Sequence, residues 1–328
     1  MGKNAHRRAF VLAAALGAAA LFGSVVGAQQ KATAAKVTEA LVTNQTGDSL
    51  SIVSLADMTS AAEVAIGGKP AGIAVSPDGT RAYITSPESK ELVVFDTGAR
   101  RVANRLQVGE APLGVAAHPT SGRVYVADWY THKVSVVDPE AGKVVAEIAV
   151  GESPSGLAVT PDGQLLLSAD RDSDSVSIID AQANVRLKSI PVGKRPFGIT
   201  IDAAGERAYT ANVASDDVTV IDIERGIVVG TVSVGHRPYA VALARGRAFV
   251  TNQYASSVSV FDVATLKTVK TIDVGDHPEG IAADPGEANV YVACWFDNVL
   301  MRIDPEALAV TGEAAVGDGP RAFGAFLR

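Results

Sequence analysis

Apolar and polar residues alternate with a period of two along most of this chain, in short runs broken by Pro, Gly, Asp and Ser. Gly72-Ile73-Ala74-Val75 stops at the turn Ser76-Pro77-Asp78-Gly79, and Arg81-Ala82-Tyr83-Ile84-Thr85 follows. After a polar corner comes Leu92-Val93-Val94-Phe95-Asp96, and a fourth run from Arg101 to Val108 leads to Gly109. Alternation bounded by turn residues predicts β-strands, and no window carries a helical period.

The four-strand unit recurs. Gly67, Gly109, Gly151, Gly193, Gly235, Gly275 and Gly317 each precede a proline by three positions, at intervals of 42, 42, 42, 42, 40 and 42 residues. The short interval loses two residues in one turn, where Ala244-Arg245-Gly246 replaces the longer Asp202-Ala203-Ala204-Gly205. Four strands in some forty residues is the mark of a β-propeller blade. The first strand of the unit is missing at the N-terminal copy and present in excess at the C-terminus, from Ala322 to Leu327. Pairing the two removes both free edges. The expected fold is all-β, a seven-bladed propeller of four-stranded blades over residues 40–328, closed by the C-terminal strand against the N-terminal blade.

The copies Leu41-Val42-Thr43-Asn44, Tyr83-Ile84-Thr85-Ser86, Tyr209-Thr210-Ala211-Asn212 and Phe249-Val250-Thr251-Asn252 resemble the YVTN β-propeller repeat family. The Val-Gly-x-x-Pro-x-Gly run and the closing Asp96, Asp138, Asp180, Asp222, Asp262 and Asp304 resemble it too. The resemblance implies an exported, extracytoplasmic propeller. It implies little about activity, since such rings serve as binding platforms, partners of redox enzymes and surface proteins.

The N-terminus agrees with export. Lys3, Arg7 and Arg8 precede an apolar stretch ending at Val26-Gly27-Ala28, so residues 1–28 read as a signal peptide and 29–39 as a polar linker. Arg7-Arg8-Ala9-Phe10-Val11 resembles a twin-arginine signal, although His6 and Leu12 depart from that pattern; an ordinary basic n-region is the alternative. A periplasmic or secreted location is expected, with no transmembrane segment after cleavage, and a ring closed on itself is expected to be monomeric. Loss of residues 1–28 leaves 26 Lys and Arg against 36 Asp and Glu, a net of −10. Nucleic acid is therefore a disfavoured partner. Cys294, the one cysteine, has no disulfide partner, and no CxxC spacing builds a closed zinc site.

Comparison between repeats separates scaffold from candidate site. The small residue at 72, 114, 156, 198, 240, 280 and 322 belongs where inner strands crowd the axis, and the column Asn44, Asp128, Asp170, Asn212, Asn252 belongs to a corner every blade shares. The residue after each proline varies: Ala71, Leu113, Ser155, Phe197, Tyr239, Glu279, Arg321. Lys194-Arg195-Pro196-Phe197 and His236-Arg237-Pro238-Tyr239 place cations and aromatics side by side on one arc of the channel mouth. Trp129 and Trp295 share a column, followed by Tyr130 and Phe296, and Tyr254 shares the column of Tyr130. Guanidinium forks suit carboxylate or phosphate, and rings offer stacking. The expected role is a non-catalytic platform binding a small anionic ligand or an extracytoplasmic protein partner through Lys194, Arg195, Phe197, His236, Arg237, Tyr239, Tyr254, Glu279, Trp295, Arg321, Trp129 and Tyr130. The plain alternative is solvated rim charge paired with Glu110, Glu152 or Asp276.

Two further readings stand beside it. Glu279 with Asn252 or Asp170 suits a single divalent metal, as in the lactonases and lyases that some propellers resemble. His236, His277 and Cys294 supply soft and borderline donors for copper or a divalent metal, in a metal-binding or redox-accessory role; a buried filler thiol is the alternative. Catalytic motifs such as G-x-S-x-G or HExxH are missing from the sequence. Arg302 stands in an aliphatic column and is expected to meet an acid or to lie along the blade edge, and Met301 replaces a mostly Ser/Thr column. His118 reads as a turn residue and His132 as a solvated corner.

Overall fold

The computed structural model describes residues 37–328, so the expected signal peptide and most of the linker lie outside the described residues. Seven sheets follow one another along the chain. In chain order they span residues 39–65, 72–107, 112–149, 154–191, 196–233, 238–273 and 278–315, and are called blades 1 to 7. Helix among the described residues is limited to two 3-10 turns, Arg171–Ser173 and Gln253–Ala255, and no helix is long and apolar enough to cross a membrane.

Blade 4 shows how alternation becomes a blade. Its strands are Pro154–Val159, Leu165–Asp170, Ser175–Asp180 and Val185–Pro191, antiparallel in sequence order. The two middle strands are buried almost throughout, because both faces of the sheet press on neighbouring blades. The outermost strand is exposed except for Ile190. Apolar residues of adjacent blades interleave into shared clusters, such as Tyr209, Val220, Val241 and Phe261 between blades 5 and 6.

Closure follows the expectation. The last strand, Phe323–Ala325, lies parallel to the inner strand of blade 2, Gly72–Val75. On its other side the C-terminal segment bridges antiparallel to blade 1, Ala40 with Leu327 and Asn44 with Pro320. Backbone bonds fasten this seam, among them Leu41 N–H to Phe326 O at 2.8 Å, Arg321 N–H to Thr43 O at 2.7 Å and Arg328 N–H to Glu39 O at 2.8 Å. Blade 1 thereby acquires its fourth strand from the far end of the chain.

The small-residue column has the expected cause. A Cβ on Gly114 would overlap the Ser155 carbonyl oxygen of the next blade, and one on Gly280 would overlap that of Ala322. Inner strands also tie to one another through hydroxyls: Thr85 Oγ1 donates to Leu113 O at 2.6 Å, Ser155 Oγ to Phe197 O at 3.0 Å and Thr251 Oγ1 to Glu279 O at 2.8 Å. These bonds set the spacing of the ring at its mouth.

Candidate functional site: the channel mouth

The connection from each blade's outer strand to the next inner strand, and the corner between second and third strands, meet around the mouth. The Asn/Asp column anchors the corner. Asn252 Nδ2 donates to Ser257 and Ser259 hydroxyls at 3.1 and 2.9 Å, while its Oδ1 takes the Gly235 N–H at 3.0 Å. Asp128 instead receives four backbone N–H groups, from Glu110, Ala111, Tyr130 and Thr131. Asp170 accepts only the Ser168 and Ser177 hydroxyls as clear side-chain partners, and burial pushes its carboxyl above the usual range.

In blade 7 the column holds Cys294, and the adjoining Ser/Thr column holds Met301. The pair is a soft version of the same joint: Met301 Sδ accepts the Gly275 N–H at 3.3 Å, where Ser259 and Ser51 hydroxyls take Gly235 and Gly317 N–H groups elsewhere. Cys294 is fully buried, and burial pushes its thiol up to about 12. His236 and His277 meanwhile flank Tyr254, ring centroids 5.7 and 5.0 Å away. His236, His277 and Cys294 therefore do not form the ligand set expected of them. Among the described residues no group of three or more His, Cys, Asp or Glu side chains is placed to hold a metal ion.

The residues after the prolines depart from the expected rim. Phe197 and Tyr239 are buried rather than displayed, packing at 4.4 Å, and both meet Phe323 of the closing strand at 5.0 and 5.5 Å. These three rings form a plug across the channel, with Trp129 above it, 6.2 Å from Phe197. The apolar surface at the mouth thus comes from the tryptophans, and Phe197 and Tyr239 form the floor beneath.

Arg321 and Glu279 also have a different part from the one expected. Arg321 donates through Nη1 to Gln45 Oε1 at 2.7 Å and through Nε and Nη2 to the Tyr239 hydroxyl at 2.9 and 2.5 Å. Glu279 Oε2 lies 3.3 Å from Arg321 Nε, an ion pair without a hydrogen bond's alignment, and Glu279 Oε1 accepts Gln253 Nε2 at 2.7 Å. Burial raises the Glu279 carboxyl while Arg321 opposes the rise. The guanidinium occupies the place a metal would need beside Glu279, and Asn252 and Asp170 are committed to their own corners. The divalent-metal arrangement is not assembled. Gln45, Tyr239, Glu279 and Arg321 instead join blades 1, 6 and 7 by one largely buried polar network.

Three arginines remain over the plug. Arg171 lies 5.2 Å over the Trp129 ring and donates to Asp172 Oδ1 at 2.7 Å. Arg195 Nε is 4.0 Å from the same Asp172 oxygen. Arg237 stacks 4.5 Å over Tyr254 and donates to Gln253 Oε1 at 3.0 Å, with no carboxylate within 4.0 Å of its guanidinium among the described residues. Burial lowers the Arg171 guanidinium from its ordinary value; Asp172 opposes this, and the charges of Arg195 and Arg237 add to the lowering. Two guanidiniums, Arg171 and Arg195, thus share one carboxylate, and Arg237 adds a third charge paired with an amide instead.

The loops that carry them are held in place. Arg195 and Arg237 have left-handed backbones, φ 55° and 59°, immediately before a proline. Their backbone N–H groups donate to Asp174 and Asp216, each at 2.8 Å. That offsets the strain of a non-glycine residue at positive φ. Lys194 bonds Asp174 at 2.7 Å, so its charge is spent there; Glu110 pairs with Lys90, a partner other than the arc. His132 fills the corresponding slot one blade earlier, its Nδ1 accepting the Ser153 N–H at 3.0 Å; it is exposed at its corner, as expected, and serves as a joint too. His118 is a turn residue, its Nδ1 accepting the Thr120 and Ser121 N–H groups.

Trp129 and Trp295 are half-buried and turned to the mouth, Trp295 with Arg321 6.0 Å over its ring. Their successors point outward: Tyr130 is 70% exposed, Tyr254 53% and Phe296 61%. His277 lies between Tyr254 and Phe296, 4.6 Å from the latter, completing a row of rings from His236 to Phe296. Arg302 finds no acid among the described residues. It donates to Thr311 Oγ1 at 3.2 Å and to Leu55 O of blade 1 at 3.4 Å.

Four residues of the mouth escape a reading of the proline column alone: Gln45, Arg171, Gln253 and Phe323. The first three directly follow the Asn/Asp column, the same position as Trp129 and Trp295, so following that column through every repeat identifies them. Phe323 is the lone aromatic among Ile73, Val115, Leu157, Ile199, Val241 and Ile281.

No protein-family model matches the chain, and no curated protein does. Among solved structures, a chain of hydrazine synthase from Kuenenia stuttgartiensis is similar with a TM-score of 0.70 and 21% identity, over 77% of this chain and 88% of that one. A functionally unknown protein from Desulfotomaculum acetoxidans is similar with a TM-score of 0.75 and 18% identity, over 87% of this chain and 99% of that one. At these identities the likeness is one of fold.

Proposed function

We propose that this chain is an exported, YVTN-like propeller that works as a non-catalytic platform, binding a small anionic ligand with an apolar or aromatic body at the channel mouth. One observation carries the reading: Arg171, stacked on Trp129, shares Asp172 with Arg195, and the charges of Arg195 and of Arg237, which has no carboxylate of its own among the described residues, both bear on it. An anion placed there relieves mutual repulsion and accepts fork-shaped donors, while Trp129 and Trp295 give its apolar part a surface. The basic, apolar N-terminal stretch supports export to the periplasm or beyond. The likeness to a hydrazine synthase chain assigns no reaction here.

Both tryptophans of the whole chain stand at this mouth, so intrinsic emission reports on it without a label. Phenyl phosphate titrated into the exported, mature protein is expected to shift that emission saturably. Replacing Arg195 and Arg237 together by Ala should weaken binding at least tenfold with the melting temperature unchanged. Equal affinity in the double variant would remove these arginines from the site. The exposed row from His236 to Phe296 favours a second reading, in which the anion belongs to an acidic segment of a partner protein that also covers Tyr254 and Phe296.

A further inference from the structure

The plug that floors the mouth also ends a second cavity. On the opposite face the inner strands enclose a well of about 520 Å³, reaching inward to Phe323. There Phe323 packs against Phe197 and Tyr239, on the side toward the mouth. One ring of its wall is small in every blade: Ala in five, Thr200 in blade 5 and Gly324 in the closing strand. Beside that ring stand aliphatic side chains such as Leu157, Ile199, Val241 and Ile281.

The polar side chains that reach this well are already engaged. Thr200 Oγ1 donates to Val241 O at 2.6 Å. At the lip, Asp284 accepts the Ala288 N–H at 2.9 Å and the Asn289 amide at 3.1 Å, and Glu287 accepts the Arg245 N–H at 2.7 Å. Inside the well no side-chain charge or free hydroxyl remains to orient an ion or a polar headgroup; the Asp284 and Glu287 carboxylates keep their charge, but at the lip. Water in such a place finds few side-chain partners, whereas an apolar body replaces it without breaking any bond the side chains make. The volume falls within the roughly 300–1,000 Å³ of small-molecule sites.

We infer that the far well is a binding site for a small, uncharged, apolar molecule with a compact ring or branched hydrocarbon body. It is separate from the mouth, and the plug lies between the two. The far end takes a ligand by excluded water and shape, the mouth by charge.

The probe is N-phenyl-1-naphthylamine, neutral near pH 7, titrated into the full mature protein. One saturable equivalent with enhanced emission is expected. Ala158→Leu with Ala282→Leu fills the wall and should weaken binding at least tenfold, while the Arg195/Arg237 double variant leaves it unchanged. Intermolecular NOEs from the naphthyl protons to methyl groups of Val159, Ile201 and Leu243 should be present in the unaltered protein; they decide the matter even if the filled variant does not fold. No saturable binding, equal affinity in a folded filled variant, or NOEs only to the exposed outer-strand residues Val185 and Leu187 would overturn the inference.

Discussion

The two ends of the axial channel are built from the same seven inner strands yet differ in kind. At the far end every blade contributes the same sort of residue, small or aliphatic, and the result is an apolar well. At the mouth each blade contributes something different after its proline, and two populations emerge. Gln45, Tyr239, Glu279, Gln253 and Arg321 spend their polar groups on one another, while Arg171, Arg195 and Arg237 carry three charges against the one carboxylate of Asp172 that their guanidiniums reach, and Arg237 reaches only the Gln253 amide. Repetition makes geometry, and departure from repetition makes either a seam or a site. Which of the two arises depends on whether the departing groups can reach each other.

The sharpest way to break this contrast is Arg321→Ala. It leaves the buried Glu279 carboxylate without its cation and strips the Tyr239 hydroxyl and Gln45 of a donor. A loss of about 3–5 kcal/mol is expected, read as a lower urea midpoint. An unchanged midpoint would mean that the polar network contributes nothing to closure.

The Asn/Asp column sharpens it further with two substitutions of opposite sign. Asp128→Asn turns an amide NH2 toward backbone N–H groups that a carboxylate now satisfies, and should cost about 1–3 kcal/mol. Asp170→Asn should stabilise by about 1 kcal/mol, roughly 2–4 °C in melting temperature, since its neighbours are hydroxyls that can accept as well as donate. Asn212 and Asn252 make that joint in blades 5 and 6.

The pH dependence follows from the same burial. The folded state holds the Asp170 proton more tightly than the unfolded chain, whose carboxyl titrates near 3.9. The native protein therefore loses stability from this group as pH rises from about 4 through the raised folded value, and keeps it below. Thermal melts of Asp170→Asn across that interval should show a smaller decline than the parent. An identical pH profile would show that the carboxyl titrates normally.

Much of the ring is legible in the residues because the repeat is strict. The interval between glycines, the alternation and the unmatched strand at each end fix blade number and closure without any contact being known. The mouth is legible only as a location. Arg195 and Arg237 are recognisable there because adjacent repeats carry them at one offset, but nothing along the chain distinguishes Arg237, which meets only an amide, from Arg321, which meets Glu279. Both precede or follow a proline in the same loop. Phe197 and Tyr239 mislead for a related reason, since a varying position on a loop is open to solvent only if no neighbour's ring lies over it.

The sequence by itself determined the period of the strands, the count of the blades and the seam that closes them, since these rest on local alternation and on the pairing of free edges. The tertiary structure decided which side chains meet across the channel. Arg321 finds Tyr239 at 82 residues' separation and Gln45 at 276, distances over which no local pattern carries information. Which arginine meets a neutralising network and which does not is a property of the closed ring.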